Sequence, residues 1–395
     1  MNSTNRVVAF LAVSAFASTC SFRILDPAIP QLSEEFGVST GTAGDGVMWF
    51  ALAYGIMQFF YGPIGDRFGK YRVLALATLA SALGSLAVAL APTFQILLLG
   101  RFLTGATCAG IIPLALAWIG DHVPYERRQE TLARFILGNI IGVTSGLWIG
   151  GAFTDITGWR GGVLFLVALY LIIGTILFLQ RSHVPEVQAP YKKIKFLEPI
   201  LLVFSSGWAW VVLITAMFEG GLVYGAIAYV PAYLQYTYEI SATLAGITTG
   251  MFAIGALLYV VNARWLIAKL GELKLVACGG IMLGSSYFLY LEGPTWHWAM
   301  LGSVVCGFGY YFLHAVLQAR ATQMVEKARS TGVSMFACFM FLGQALGIIL
   351  GSFVVDAFGL RFLLWISVAT LPILGFWFNF ELRKHISRQQ QAAAA

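Results

Sequence analysis

Charge is what this 395-residue chain has least of. Its 24 Lys and Arg and 18 Asp and Glu make up 11% of the residues, against 59% hydrophobic ones, whereas soluble domains carry about 25% charged side chains. No gap between apolar runs is long enough to fold as a soluble module, so function must sit within the membrane. No glycine-rich phosphate loop ending in Lys and Ser or Thr occurs, which removes direct drive by ATP. No nucleophile, base and orienting group can be assembled by spacing, and no cluster has metal-ligand spacing. The expectation is a chain that is not an enzyme and has neither cofactor nor metal. Cys20, Cys108, Cys278, Cys306 and Cys338 lie inside apolar runs without paired spacing and read as core residues.

What the sequence does have is about twelve long apolar runs, near 7–31, 42–65, 73–91, 94–120, 131–154 and 160–181, then 207–236, 242–267, 272–291, 296–320, 330–355 and 361–382. The fold class is therefore an all-α membrane protein of twelve transmembrane helices. Roughly 20 of the 24 basic residues fall in alternate gaps or in the tails, among them Arg67, Arg72, Arg127, Lys192, Lys274 and Arg329. The opposite gaps hold Glu34, Glu35, Asp45, Glu239 and Glu292, with Arg160 and Arg361 as their cations. This positive-inside pattern predicts an integral protein of a bacterial inner membrane with both termini cytoplasmic. It also accounts for the net charge of +6 without a nucleic-acid partner. The first run is too long for a signal core and is read as a span. The longest polar gap, 183–199, separates residues 1–182 from 200–384, two sets of six spans, and 385–395 is a low-complexity tail.

The two sets align with each other. Gly142, Gly146, Gly150, Asp155, Gly158 and Arg160 recur 201 residues later as Gly343, Gly347, Gly351, Asp356, Gly359 and Arg361. An internal duplication is the simplest cause, and such repeats are how many transporters frame a substrate site. The glycines, four apart, form a smooth stripe for close backbone approach, read either as plain packing or as a hinge.

At the inner end of the second span stands Gly62-Pro63-Ile64-Gly65-Asp66-Arg67-Phe68-Gly69-Lys70-Tyr71-Arg72. It resembles the loop signature of the major facilitator superfamily at Gly62, Asp66, Arg67, Gly69 and Arg72. A degraded copy, Lys269, Gly271 and Lys274, follows the eighth span, with Ala268 in place of the acid. Arg101 and Gly105 match a second motif of proton-coupled members. The stretch from Gly138 to Gly151 resembles the antiporter motif and departs from it at Leu147, where proline is typical. The sequence Asp26-Pro27-Ala28-Ile29-Pro30 is similar to the twelve-span drug-efflux branch. The resemblance covers nearly the whole chain. It implies two pseudo-symmetric six-helix bundles that rock about a central site, a monomer, and proton-driven exchange of a small molecule. The loop and the glycines Gly142, Gly146 and Gly150 would act in the conformational switch.

A charge at mid-bilayer costs about 2.5 to 3.5 kcal/mol, so each needs a partner, water or a function. The candidates are Arg23, Asp26, Arg101 and Glu219, with His314 as a titratable neighbour. Thr19, Arg23, Asp26 and Pro30 share one helical face. Arg23 and Arg101 sit roughly 10 Å deep by helix rise, and either one can pair with Asp26, as a permanent strut or as a pair that opens with protonation or substrate. Glu219, followed by Gly220 and Gly221, suits a proton carrier or a receptor for a cation; the other reading is a neutral acid bonded by a neighbouring helix. His314 is read as a substrate contact or as a polar cap. Thr215, Tyr229, Tyr233, Tyr310, Tyr311, Trp208, Trp210 and Gln318 are the further candidates for an aromatic, partly polar cavity.

The functional expectation is proton-coupled efflux of a small hydrophobic or cationic organic compound. Glu219 and Asp26 exchange protons in this scheme, and Arg101 tunes them. The alternative is a carrier of sugar-like or anionic metabolites in which Arg23 and Arg101 hold the substrate. A membrane enzyme or receptor on the same scaffold is the third class.

Overall fold

The computed structural model describes residues 3–182, 184 and 197–394, so nearly all of the expected linker 183–199, including Lys192, Lys193 and Lys195, lies outside the described residues. The described elements are all helices, and no strand occurs among them. Ten helices among them are long and apolar enough to cross a membrane. One holds the 41-residue helix Phe252–Glu292, which at about 1.5 Å per residue is roughly twice as long as a bilayer core is thick. It turns at Gly271, whose φ of 68° is open to glycine. Gly69, the corresponding residue of the first half's loop, makes the same turn with φ 93°. The degraded second loop thus keeps the residue that makes the turn.

The chain forms two compact units, Met1–Ile194 with Ile240–Ile247, and Lys195–Glu239 with Thr248–Ala395. In the first, α1 is Ser3–Arg23, α2 Asp45–Phe68, α3 Lys70–Ala89, α4 Phe94–Cys108, α5 Ile111–His122, α6 Tyr125–Ile156 and α7 Trp159–Gln180. Proline explains two interruptions. Pro27 lacks the N–H that would bond the Arg23 carbonyl, and α1 stops at Arg23 before a 3₁₀ turn over Asp26–Ala28. Pro113 does the same to residue 109, between α4 and α5. The expected single face through Thr19, Arg23, Asp26 and Pro30 is therefore broken after Arg23. In the second unit, α8 is Gly207–Glu219 and α9 Val230–Tyr238. α10, Ala242–Gly250, runs from the first unit into the second. It is followed by α11 Phe252–Glu292, α12 Trp296–Ala321, α13 Arg329–Phe358 and α14 Leu360–Ala394.

The duplication is visible in the packing. A Cβ at Gly142 would strike the Phe16 backbone, and one at Gly343 would strike Met217, so the partners repeat at the same offset as the glycines. Gly146 packs in the same way on Cys20, and Gly347 on Gly221. In each half the first and fifth spans touch backbone to backbone. With no hydrophobic drive inside lipid, this close approach supplies dispersion that larger side chains would prevent. Apolar side chains such as Leu83, Val261 and Phe353 stay more than two-thirds exposed, as a lipid-facing surface requires.

Candidate functional site

The break after α1 brings the first buried charges together. Arg23 is the last residue of the helix and Asp26 opens the next turn, so the guanidinium reaches the carboxylate at 2.7 Å. Arg101, on α4, faces the same region but bonds backbone: its Nε donates to the Gly46 carbonyl at 2.7 Å and Nη1 to the Ser21 carbonyl at 2.9 Å. Its charge lies 4.4 Å from the centre of the Phe50 ring. All three side chains are at most 3% exposed. Asp26 Oδ1 and Arg101 Nη2 have no hydrogen-bond partner among the described residues. Of the two pairings the sequence allows, the structure has Arg23 to Asp26.

The second buried centre lies on α8 and α12. Glu219 is fully buried, and its Oε2 is 2.8 Å from Nδ1 of His314. Tyr310, one turn before His314, stacks on the imidazole with ring centres 4.7 Å apart. Phe336 approaches the same ring at 5.6 Å. Tyr224 and Phe252 meet Tyr310 at 5.3 and 5.6 Å. The imidazole of the pair is therefore in contact with aromatic rings from α12 and α13. Glu219 closes α8, and the next five residues, Gly220–Tyr224, form a π-helical turn. Such turns add a residue to the helix and re-aim side chains, often at functional sites. Gly220 and Gly221 allow this turn to lie directly on α13, where a Cβ would meet the carbonyls of Met340 and Gly343. The sequence signal is the glycine pair after a lone acid; the π turn itself has no sequence signature.

Other candidates lie elsewhere. The Thr19 hydroxyl bonds the carbonyls of Ala15 and Asn139. Tyr229 is fully buried with its hydroxyl 3.5 Å from the Ile348 carbonyl, Tyr233 is buried, and Thr215 bonds the Val211 carbonyl. Gln318 is exposed. Trp208 stacks on His385 at 3.9 Å, and Trp210 on Phe204 at 5.0 Å, so both belong to the start of α8 rather than to the rings around His314.

The inner loop of the first half is held by a lysine. Lys70 Nζ reaches Asp121 at 2.5 Å and Asp66 at 3.5 Å. Partial burial opposes its charge, but the two carboxylates outweigh this and hold the ammonium above its usual range. Arg67 lies over the Phe68 ring at 5.1 Å. The loop motif marks Asp66 and Arg67 but gives no sign of Asp121, which comes from the end of α5. At the other end of the helices, Arg160 pairs with Glu35 and bonds the Ala91 carbonyl, and Arg361 pairs with Glu292 at 2.6 Å. The two cations on the acidic side are thus both engaged. Among the described residues no group of His, Cys, Asp and Glu could hold a metal ion.

Residues 11–328 and 223–394 match the profile of the Major Facilitator Superfamily. The chain belongs to this superfamily. Among its relatives are an uncharacterized MFS-type transporter of Bacillus subtilis, 24% identical over 88% of this chain and 89% of its own length, and an efflux pump of Aspergillus parasiticus, 25% identical over 98% and 74%. A quinolone resistance protein of Staphylococcus aureus is 28% identical over 37% of this chain and 33% of its own. In fold, the chain superposes on a bacterial homolog of the human lysosomal transporter Spinster with a TM-score of 0.82, at 19% identity over 97% and 98% of the two chains. The POT family transporter PepTSo follows at 0.77, with 14% identity over 97% and 98%. These relatives are transporters and not enzymes, and the chain is an integral membrane transporter. Superfamily members bind small molecules.

Proposed function

We propose that this superfamily member is a twelve-span secondary transporter working by alternating access, with both termini cytoplasmic, in a bacterial inner membrane. Its substrate is a small hydrophobic or cationic organic compound, exported in exchange for protons. The observation that carries this reading is the fully buried Glu219–His314 pair beneath Tyr310 and Phe336. Carboxyl and imidazole are both ionisable groups, so loss of one proton takes the pair from neutral to anionic and its return restores neutrality. Its anionic form attracts a cation, and the aromatic faces add cation–π attraction. Binding of cation and proton then exclude each other, which is the requirement for exchange.

The first-half cluster fits a different role. Asp26 is bonded to one guanidinium and lies in the field of a second, and guanidinium groups keep their protons. We therefore assign proton exchange to Glu219 and His314, and leave Asp26 as the partner of Arg23 across the break in the first span. The reading of Arg23 and Arg101 as anion receptors is disfavoured because Arg23 holds Asp26 and two donors of Arg101 hold backbone carbonyls. The test is ethidium transport in proteoliposomes under an imposed pH gradient. Wild type should move ethidium against the proton flow, and Glu219→Gln should lose gradient dependence by more than about tenfold, the loss of one coupled step of about 1.4 kcal/mol or more. Unchanged coupling in the variant would remove Glu219 from the scheme.

A further inference from the structure

One polar side chain beside this centre has gone unused. Gln344, on α13, is 1% exposed, and its Nε2 has no hydrogen-bond partner among the described residues. Glu219 has the complementary defect, because Oε1 has none either. The two residues are neighbours through the close packing of α8 and its π turn on α13. A Cβ at Gly220 would stand 3.3 Å from the Gln344 backbone nitrogen. An orphaned acceptor and an orphaned donor thus lie on adjoining stretches of buried backbone. A buried donor or acceptor left without a partner is costly, so an arrangement that joins the two is favoured in at least one state of the site.

The duplication sharpens this. At the offset of the glycine stripe, the first half has Ser18 where the second has Glu219, and Val143 where it has Gln344. At the offset that relates Gly105 to Gly307, it has Ile112 where the second half has His314. The three polar residues are the second half's own, set on three spans that the first half fills with a hydroxyl and two aliphatic chains. Val143 shows that a helix packed in this register needs no amide.

We infer that Gln344 is a positioning residue for Glu219, and this rests on the proton-exchange reading above. When the Glu219–His314 pair is protonated it is neutral, and Oε1 tolerates the lack of a donor. When the proton leaves to water, the pair becomes anionic. Gln344 Nε2–H then donates to Oε1 and holds the carboxylate in place for an incoming cation. The charge that bears on Glu219 among the described residues is that of His314. The adjoining elements also carry the phenols of Tyr224, Tyr310 and Tyr311 and the thiols of Cys306 and Cys338. Toward the helix ends they carry His297, Arg320, Arg329, Asp356, Arg361, Glu381, Arg383, Lys384, Arg388 and His385, the last against Trp208.

The test needs no substrate. Infrared pH titration of the purified full-length protein in lipid follows the protonated-carboxyl band that Glu219→Gln removes. In Gln344→Met, similar in length but without a donor, that band should persist to a pH about one unit higher, a tenfold gain in proton affinity from the loss of one donor to the anion. Gln344→Asn, which keeps the amide on a shorter chain, should shift it less. If Glu219→Gln removes no titrating band, the proton-exchange reading itself fails. If the band is present and Gln344→Met titrates as wild type does, the role of Gln344 is overturned while Glu219 stands.

Discussion

The two halves of this transporter are copies with the same packing and opposite treatments of buried charge. In the first, Asp26 sits with Arg23 and Arg101, whose protons are permanent. In the second, Glu219 sits with His314, an imidazole that can gain and lose a proton. The first centre lies where α1 is interrupted by Pro27, and the second where α8 widens into a π turn. The first half has Ser18 and Ile112 at the positions that correspond to Glu219 and His314, so the ionisable pair belongs to the second half alone. On the proposed reading, the centre paired with guanidinium groups serves as structure and the carboxyl–imidazole centre serves as coupling.

The comparison predicts unequal costs. Asp26→Ala removes the carboxylate that pairs with the buried Arg23 and offsets the charge of Arg101, two guanidinium groups that cannot discharge. It should lower stability by about 3 to 5 kcal/mol, read as thermal or denaturant unfolding of the protein in detergent. Glu219→Ala leaves a neutral imidazole without its partner and should cost about 1 to 3 kcal/mol. Equal costs would break the distinction between the halves.

A smaller effect concerns the acidic face. Asp155 Oδ1 accepts from the Ala242 N–H at 3.1 Å, and Oδ2 accepts from the N–H and hydroxyl of Thr243 at 2.8 and 2.5 Å, at the start of α10. Partial burial would raise its proton affinity, but the bonds from Thr243 prevail and hold the carboxyl below its usual range. A lowered native value means that the stabilisation is complete above the unfolded value of about 4 and is lost as pH falls through the native one. Wild type should therefore lose stability below about pH 4 relative to Asp155→Asn, in parallel melting curves at stepped pH. Identical pH profiles would show that the carboxylate adds nothing at that helix start.

Much of the fold was legible because lipid imposes length and composition together. Apolar runs, basic gaps and the constant offset between the halves needed no contacts, and Gly69 and Gly271 marked both inner turns. The partnerships were less legible. Arg101 was visible as an intramembrane charge, but its bonds to the Gly46 and Ser21 carbonyls depend on how α4 packs, which no spacing encodes. The Glu219–His314 contact joins two spans far apart in the chain; each was singled out separately because a polar residue in an apolar run is conspicuous. Gln344 is inconspicuous in the sequence because an amide carries no charge and stands within a glycine-rich stretch that reads as packing. Trp208 and Trp210 were drawn into the cavity by residue type alone, and the structure sets them against His385 and Phe204.

The most direct test of the account is proton release by the purified, detergent-solubilised protein when ethidium is added, in wild type beside Glu219→Gln. The account predicts release in wild type, none in the variant, and no release by either with an anionic compound of similar size. Ethidium binding without proton release in wild type, or equal release from Glu219→Gln, would contradict a second half built to exchange its charge.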